Sequence, residues 1–229
     1  AIATNRYSYI TANGGPQVMV PTYAMCNKVL ACYKDFNPFG APTAGDPDGA
    51  KKVLTDAGVA TPVNITVVYR KTPTRDKSFA ALKETWDKAG FNVTLEGITD
   101  KYYRTISGAA MKTKDAFYAS WGADWPSGST DIPPLFDGRI NITPTSSNQD
   151  YGYYNSDAAN KAMDAAYLIT DPAAREKAWG DIDEMISKDG GVIPLVNQKF
   201  TFVYGSGVKN FEVNTLFGGY ADLANIAVK

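Results

Sequence analysis

Between Val63 and Leu95 the hydrophobic repeat changes from two residues to about 3.6 and back to two, and this stretch limits the possible folds more than any other. Val63, Ile65, Val67 and Tyr69 alternate with Asn64 and Thr66, the pattern of a strand with one buried face. A basic, proline-containing turn from Arg70 to Arg75 follows. From Lys77 to Ala89, the residues Phe79, Leu82, Trp86 and Ala89 share one helical face, and Gly90 stands where a helix stop calls for left-handed backbone. Phe91, Val93 and Leu95 then alternate again. A strand, a helix and a second strand joined this closely fold through a right-handed crossover, which makes the strands parallel and the class α/β.

The flanking segments repeat the same grammar. Asp46 reads as an N-cap with Pro47 at the first helical position, Ala50, Val53, Leu54 and Ala57 follow on one face, and Gly58 stops the helix. Asp100 to Gly108 reads as a short helix and Ala116 to Trp121 as a buried strand. Ser156 or Asn155 caps a helix with an Ala159, Ala162, Met163, Ala166, Tyr167 stripe. Asp171-Pro172 repeats the cap with proline ahead of Trp179, Ile182, Met185 and Ile186. Val192 to Val196 and Phe200 to Tyr204 read as strands, and the tail from Val208 carries weak strands near Phe211 and Ile226. Residues 1–47, rich in Gly, Pro, Asn and Thr, form a wrapping segment with short elements at most. Residues 126–155 form a long irregular loop, which its tyrosines at 151, 153 and 154 should keep ordered, by packing it down rather than by lining a cleft.

Composition removes several function classes. With 23 Lys and Arg against 24 Asp and Glu, the chain lacks the basic excess that nucleic-acid binding requires. It contains no histidine, so the usual general base and the commonest transition-metal ligand are missing. No catalytic residue, metal ligand or cofactor is assigned. Cys26 and Cys32 are either a disulfide or two buried thiols; six residues apart, they face different sides of a regular helix, so a bridge requires an irregular turn.

The chemistry is concentrated in Ser120-Trp121-Gly122-Ala123-Asp124-Trp125-Pro126. An apolar run feeds a carboxylate set between two indoles, and Trp125-Pro126 turns the chain, which places Asp124 at a strand's carboxyl edge. Ligands meet open α/β sheets at that edge. Asp124 either binds a ligand or caps its own turn. Trp121 and Trp125 either both wall a pocket or divide, one indole in the core and the other facing the cleft; we expect the division. Asp131, Asp137 and Arg139 read as solvated loop charges, with an acid pair of a hydrolase as the competing account, and Arg70, Lys71, Arg75 and Lys77 read as a solvated basic face.

This Trp-x-x-Asp stretch resembles that of the family 5 extracellular solute-binding proteins, the oligopeptide and dipeptide receptors of bacterial ABC importers. The match extends to Gly45-Asp46-Pro47-Asp48-Gly49-Ala50-Lys51-Lys52-Val53-Leu54-Thr55-Asp56-Ala57-Gly58, which is similar to the family's Asp-Pro-x-x-Ala-Lys-x-Leu-Leu-x-x-Ala-Gly helix, and to Asp171–Ile193, which resembles its penultimate helix and following Ile-Pro strand. These are features of the family's carboxyl-terminal half. The resemblance therefore implies a periplasmic-binding-protein-like (type II) lobe, with a mixed, mainly parallel sheet flanked by helices. Residues 1–205 would form that carboxyl-terminal lobe and residues 206–229 a tail returning toward an amino-terminal lobe outside this chain.

The resemblance also implies a function, which is to bind a peptide or other small solute between two lobes and deliver it to membrane permease subunits, without catalysis, cofactor, metal or nucleic acid. Asp124 would accept the ligand's ammonium, the main chain of Ser120, Trp121 and Gly122 would pair with it as an added strand, and Trp121 and Trp125 would wall the pocket. Some of these receptors carry an arginine where this chain has Tyr118, so carboxylate recognition does not carry over to this segment. An extracytoplasmic location, periplasmic or lipid-anchored at the outer face of the cell membrane, favours the Cys26–Cys32 disulfide. The rival functions are the ligand-sensing domain of a regulator and a carboxylate-dependent hydrolase.

Overall fold

The chain begins with a short helix, α1 (Arg6–Ala12), capped by the Asn5 side chain, which accepts from the Ser8 N–H at 2.9 Å. A three-residue strand, β1 (Met19–Pro21), follows. The structure is a computed structural model and describes residues 1–214 and 219–229. Helix α2 (Pro47–Asp56) starts as expected, with Asp46 accepting from the Gly49 N–H at 2.8 Å and Pro47 in the first turn. Its predicted apolar face is a different matter: Ala50 is buried, but Val53 and Ala57 are exposed.

Strand β2 (Val63–Arg70), helix α3 (Pro73–Lys88) and strand β3 (Phe91–Ile98) form the central unit, and β2 and β3 are parallel in the register Val63 to Phe91. Helix α3 begins at Pro73 rather than Lys77, because Thr72 accepts from the Arg75 N–H at 3.1 Å; threonine and proline here repeat the start of α2. Helix α4 (Tyr102–Ile106) leads to strand β4 (Ala116–Phe117), which joins β2 in parallel, giving the sheet order β3-β2-β4. The middle position of β2 buries Val67, Val68 and Tyr69 in succession, which ends the alternation of its first half. Strand β4 is far shorter than the expected Ala116–Trp121. Tyr118 still donates its N–H to the Val68 carbonyl at 2.8 Å, while its own carbonyl accepts from the Tyr102 hydroxyl at 2.6 Å, and the chain then leaves the sheet.

Residues 126–155 are ordered by short helices: a 3-10 turn (Gly128–Thr130), α5 (Pro133–Phe136) and α6 (Gly138–Asn141). Asp131 and Asp137, expected in solvent, are buried at 4% and 5% exposure. Asp137 is paired with Arg139, which also holds Asp164. The tyrosines pack the loop: Tyr153 donates to the Gly108 carbonyl, and Tyr154 lies edge-on to Phe136 and donates to Asp189. Helices α7 (Asp157–Leu168), capped by Ser156, and α8 (Pro172–Lys188), capped by Asp171, complete the body.

Strand β5 (Val196–Gln198) pairs antiparallel with β1. Phe200 to Tyr204 is not a strand, and Val203 is 96% exposed. In the tail, β6 (Val208–Lys209) pairs with β9 (Ala227–Val228), and β7 (Val213–Asn214) with β8 (Tyr220–Ala221). The part of the tail at 215–218 lies outside the described residues.

Of the four apolar clusters among the described residues, two are the largest. One gathers Tyr9, Val67, Tyr69, Phe79, Leu82 and Val93 between α1, α3 and the sheet, with Tyr118 packed against it. The other gathers Cys26, Leu30, Cys32, Ile132, Met163 and Trp179 between the amino-terminal wrap, α7 and α8, with Trp121 and Ala123 packed against it. The segment from Tyr118 to Ala123 thus runs from one core to the other.

Candidate functional site

The turn after that segment is assembled by hydroxyl groups and one buried carboxylate. The Trp121 indole N–H donates to the Thr130 carbonyl at 2.9 Å, and the Asp124 N–H donates to Thr130 Oγ1 at 2.9 Å. From α8, Glu176, only 7% exposed, accepts from Ser127 Oγ at 2.6 Å and from the Gly128 N–H at 2.9 Å. Gly128 fits there because it has no side chain: a Cβ would lie 3.1 Å from Cys32 Cβ and 2.9 Å from Trp179 Cγ. The sulfurs of Cys26 and Cys32 are joined across an irregular loop, and Asp183 of α8 accepts from the Met25 and Cys26 N–H groups, each at 2.9 Å. The turn therefore rests on α8 and on the disulfide loop.

What this frame presents to solvent is the stretch singled out in the sequence. Ser120, Gly122, Asp124 and Trp125 are exposed. Trp121 is half-buried against the core, whereas Trp125 is 48% exposed with its indole N–H on Ser129 Oγ at 2.9 Å. The two indoles thus divide between core and surface. No main-chain hydrogen bond involves Ala119 to Ala123 among the described residues, so a run of N–H and C=O groups is open next to the sheet. The Asp124 carboxylate has no hydrogen-bond or ion-pair partner among the described residues; the turn is capped by Ser127 instead.

Arg75 completes the rim from α3. Its guanidinium lies 4.9 Å from the Tyr118 ring centroid, with Nη2 at 3.4 Å from the Tyr118 hydroxyl. It is half-buried on this face rather than solvated, and a cation has come from another element to the position where the Trp-Asp segment itself carries tyrosine. Tyr103 reaches the same rim, its hydroxyl 3.0 Å from Ser120 Oγ. Behind the turn, burial, and then the charges of Asp183 and Asp124, push the Asp131 carboxyl up to about 7. The site thus offers a free carboxylate, an open main-chain edge, an exposed indole and an arginine, a set suited to an extended zwitterionic chain.

The family model of the bacterial extracellular solute-binding proteins, family 5 middle region, matches residues 2–143, more than half the chain. The chain belongs to this family. Periplasmic oligopeptide-binding protein OppA of Haemophilus influenzae is 28% identical over 161 residues, covering 68% of this chain and 28% of that protein. OppA of Escherichia coli K12 is 26% identical over 149 residues, covering 64% and 26%. Among solved structures, clavulanic acid biosynthesis oligopeptide binding protein 2 superposes with a TM-score of 0.84 at 23% identity, over 99% of this chain and 42% of that one. The complex of H. influenzae OppA with the peptide RPPGFSPFR gives 0.72 at 23% identity, over 99% and 44%. The chain therefore spans less than half the length of these relatives, and the α/β fold with its parallel sheet is the one they share.

Within the family 5 fold, the residues expected at the site, Ser120, Trp121, Gly122, Asp124 and Trp125, lie on one continuous stretch, with Trp121 turned inward. Glu176, Thr130, Gly128 and Arg75 were not singled out as parts of the site. Only Gly128 carried a local signal, as a glycine just past Trp125-Pro126.

Proposed function

We propose that this chain is the carboxyl-terminal lobe of an importer's solute receptor, and that it holds a short peptide along the segment from Ser120 to Asp124. The observation that carries this is the unpaired main chain of Ala119–Ala123 ending at an unpartnered Asp124. A peptide added as a strand there would be bound through main-chain groups, its ammonium on Asp124 and its other end toward Arg75, with Trp125 covering one side. Relatives named as oligopeptide-binding proteins, one of them solved with a bound peptide, support the same ligand class. The tail beyond residue 205, with Leu223 and Val228 exposed, would pack on a second lobe, and closure of the two lobes would trap the ligand. Release to permease subunits at the outer face of a membrane, without turnover of the peptide, completes the role. A hydrolase has less support, since Asp137 is committed to Arg139.

The test is native mass spectrometry of the full-length protein purified without denaturation, followed by calorimetric titration of the stripped protein with short peptides. Recovery of peptide-sized solute and saturable binding are expected. Binding of sugars with no response to peptides would sink the proposal.

A further inference from the structure

Thr130 holds the Trp-Asp turn through its carbonyl and its hydroxyl, and the next residue, Asp131, is buried at 4% exposure. The Asp131 N–H donates to the Gly128 carbonyl at 3.1 Å, but its carboxylate has no hydrogen-bond or ion-pair partner among the described residues. Asp183 of α8 shares this layer, 1% exposed and one helical turn beyond Trp179. Its Oδ2 accepts the Met25 and Cys26 N–H groups, each at 2.9 Å, while its Oδ1 is buried with no partner among the described residues. The other charged groups on the surrounding elements are engaged elsewhere. Glu176 is bonded to Ser127 and Gly128, Arg175 lies 3.7 Å from Glu176, and Glu184 pairs with Lys34 and Lys188. Lys28 of the disulfide loop stands over the Tyr33 ring, and Asp164 of α7 is held by Arg139. Asp124, exposed on the turn, completes the set. Asp131 and Asp183 are closed in by this chain's own atoms.

Two carboxylates buried in one layer without a cation are costly to charge together, and the one that lacks donors keeps the proton. Asp183 has two N–H groups on it and Asp131 has none, so the proton belongs on Asp131. The electrostatics agree: burial, then the charges of Asp183 and Asp124, raise Asp131 to about 7, whereas Asp183, raised by burial and held back by its two N–H bonds, stands at about 6. We propose that Asp131 is a positioning residue for a ligand's ammonium, holding a proton in the free receptor and giving it up when the cation settles on Asp124. The sign follows from linkage. An ammonium cancels the Asp124 charge that favours the neutral acid, so binding releases a proton, and loss of that proton in turn strengthens binding. Affinity therefore rises as the pH rises through about 7. The device rests on Asp124 as the ammonium acceptor and adds to it a buried charge that answers to pH.

Calorimetric titration of the full-length protein with one short peptide and its N-acetylated form, from about pH 5 to about pH 8, tests it. A peptide's own amino group titrates near 8, so the wild type is compared with Asp131→Asn, which stays neutral throughout, using the same peptide. The affinity of the wild type relative to the variant should rise about 3- to 10-fold across that range, with its midpoint near 7. Buffers of different ionisation heat should show more proton released by the wild type. The acetylated peptide should show neither effect. A ratio that stays flat with pH, or the same rise with the acetylated peptide, overturns the role of Asp131 alone; no binding of either peptide removes the ammonium reading and this role with it. If Asp131→Asn does not fold, carbon NMR of aspartate-labelled wild type decides. A carboxyl titrating near 7 that moves to lower pH when peptide is bound is expected, and the lack of one overturns the proposal.

Discussion

Glu176 and Ser127 are joined by a 2.6 Å hydrogen bond, with the second Glu176 oxygen on the Gly128 N–H, so a helix far along the chain sets the turn that exposes Asp124. Glu176→Gln keeps the shape but turns an amide N–H₂ toward one of these donors. We expect a loss of about 1–3 kcal/mol in stability, read by urea unfolding. Peptide affinity should also fall, although Glu176 is buried beneath the turn; unchanged affinity would show that the turn does not depend on this pair.

Asp124→Asn removes the free charge and leaves its N–H on Thr130 Oγ1. Binding of peptides with a free amino terminus should weaken by about 1.5–3 kcal/mol, on the order of 10- to 100-fold. N-acetylated peptides should be little affected. Equal loss for both, measured by calorimetry, would remove the ammonium role.

The two tryptophans should separate stability from binding. Trp121→Ala strips one side of the core cluster that contains Trp179 and is expected to cost about 3 kcal/mol in stability. Trp125→Ala, at an exposed indole, should leave the unfolding midpoint nearly unchanged and weaken peptide binding. A large stability loss at Trp125 would contradict this division.

Asp131 predicts a pH dependence of stability. Its folded value is raised to about 7, mainly by burial, while an unfolded aspartate titrates near 3.8. The folded state therefore holds the proton more tightly, and this stabilising contribution is full below about pH 4 and lost as the pH rises toward 7. Asp150, raised to about 7, and Asp183, raised to about 6, act with the same sign. Asp131→Asn should be more stable than the parent at pH 8, and the gap should close near pH 4. A gap that does not change with pH would refute the assignment.

Cys26 and Cys32 close a short loop that carries part of the turn's support. Replacing both with serine should destabilise the protein by about 2–4 kcal/mol. Reduction should likewise lower peptide affinity, followed by titration with and without dithiothreitol; affinity indifferent to reduction would separate the disulfide from the site.

Helix starts were legible because they are local: Asp46, Ser156 and Asp171 each bond within three residues of themselves. Thr72 obeyed the same rule but was masked by the charged residues around it, which looked like a turn. The end of β4 was not legible, since the apolar run through Ala119 continues past the point where the Tyr102 hydroxyl takes the Tyr118 carbonyl. The burial of Asp131 and Asp137 was hidden because a loop rich in proline and polar residues gives no periodic signal when its helices have four residues or fewer. Asp124 and its indoles could be read from the segment itself. Glu176 could not, because its meaning depends on a partner 49 residues away.

The bare backbone at Gly128, lodged against Trp179 and Cys32, separates what can drift in this site from what cannot. Ser120 and Trp125 stand in solvent, so under the proposed role a descendant could exchange them, and with them its ligand, without repacking the core. Position 128 has no such freedom, because adding one carbon there displaces the body of the domain. Changes of ligand should therefore accumulate along the rim, while the point from which the rim is hung stays the same.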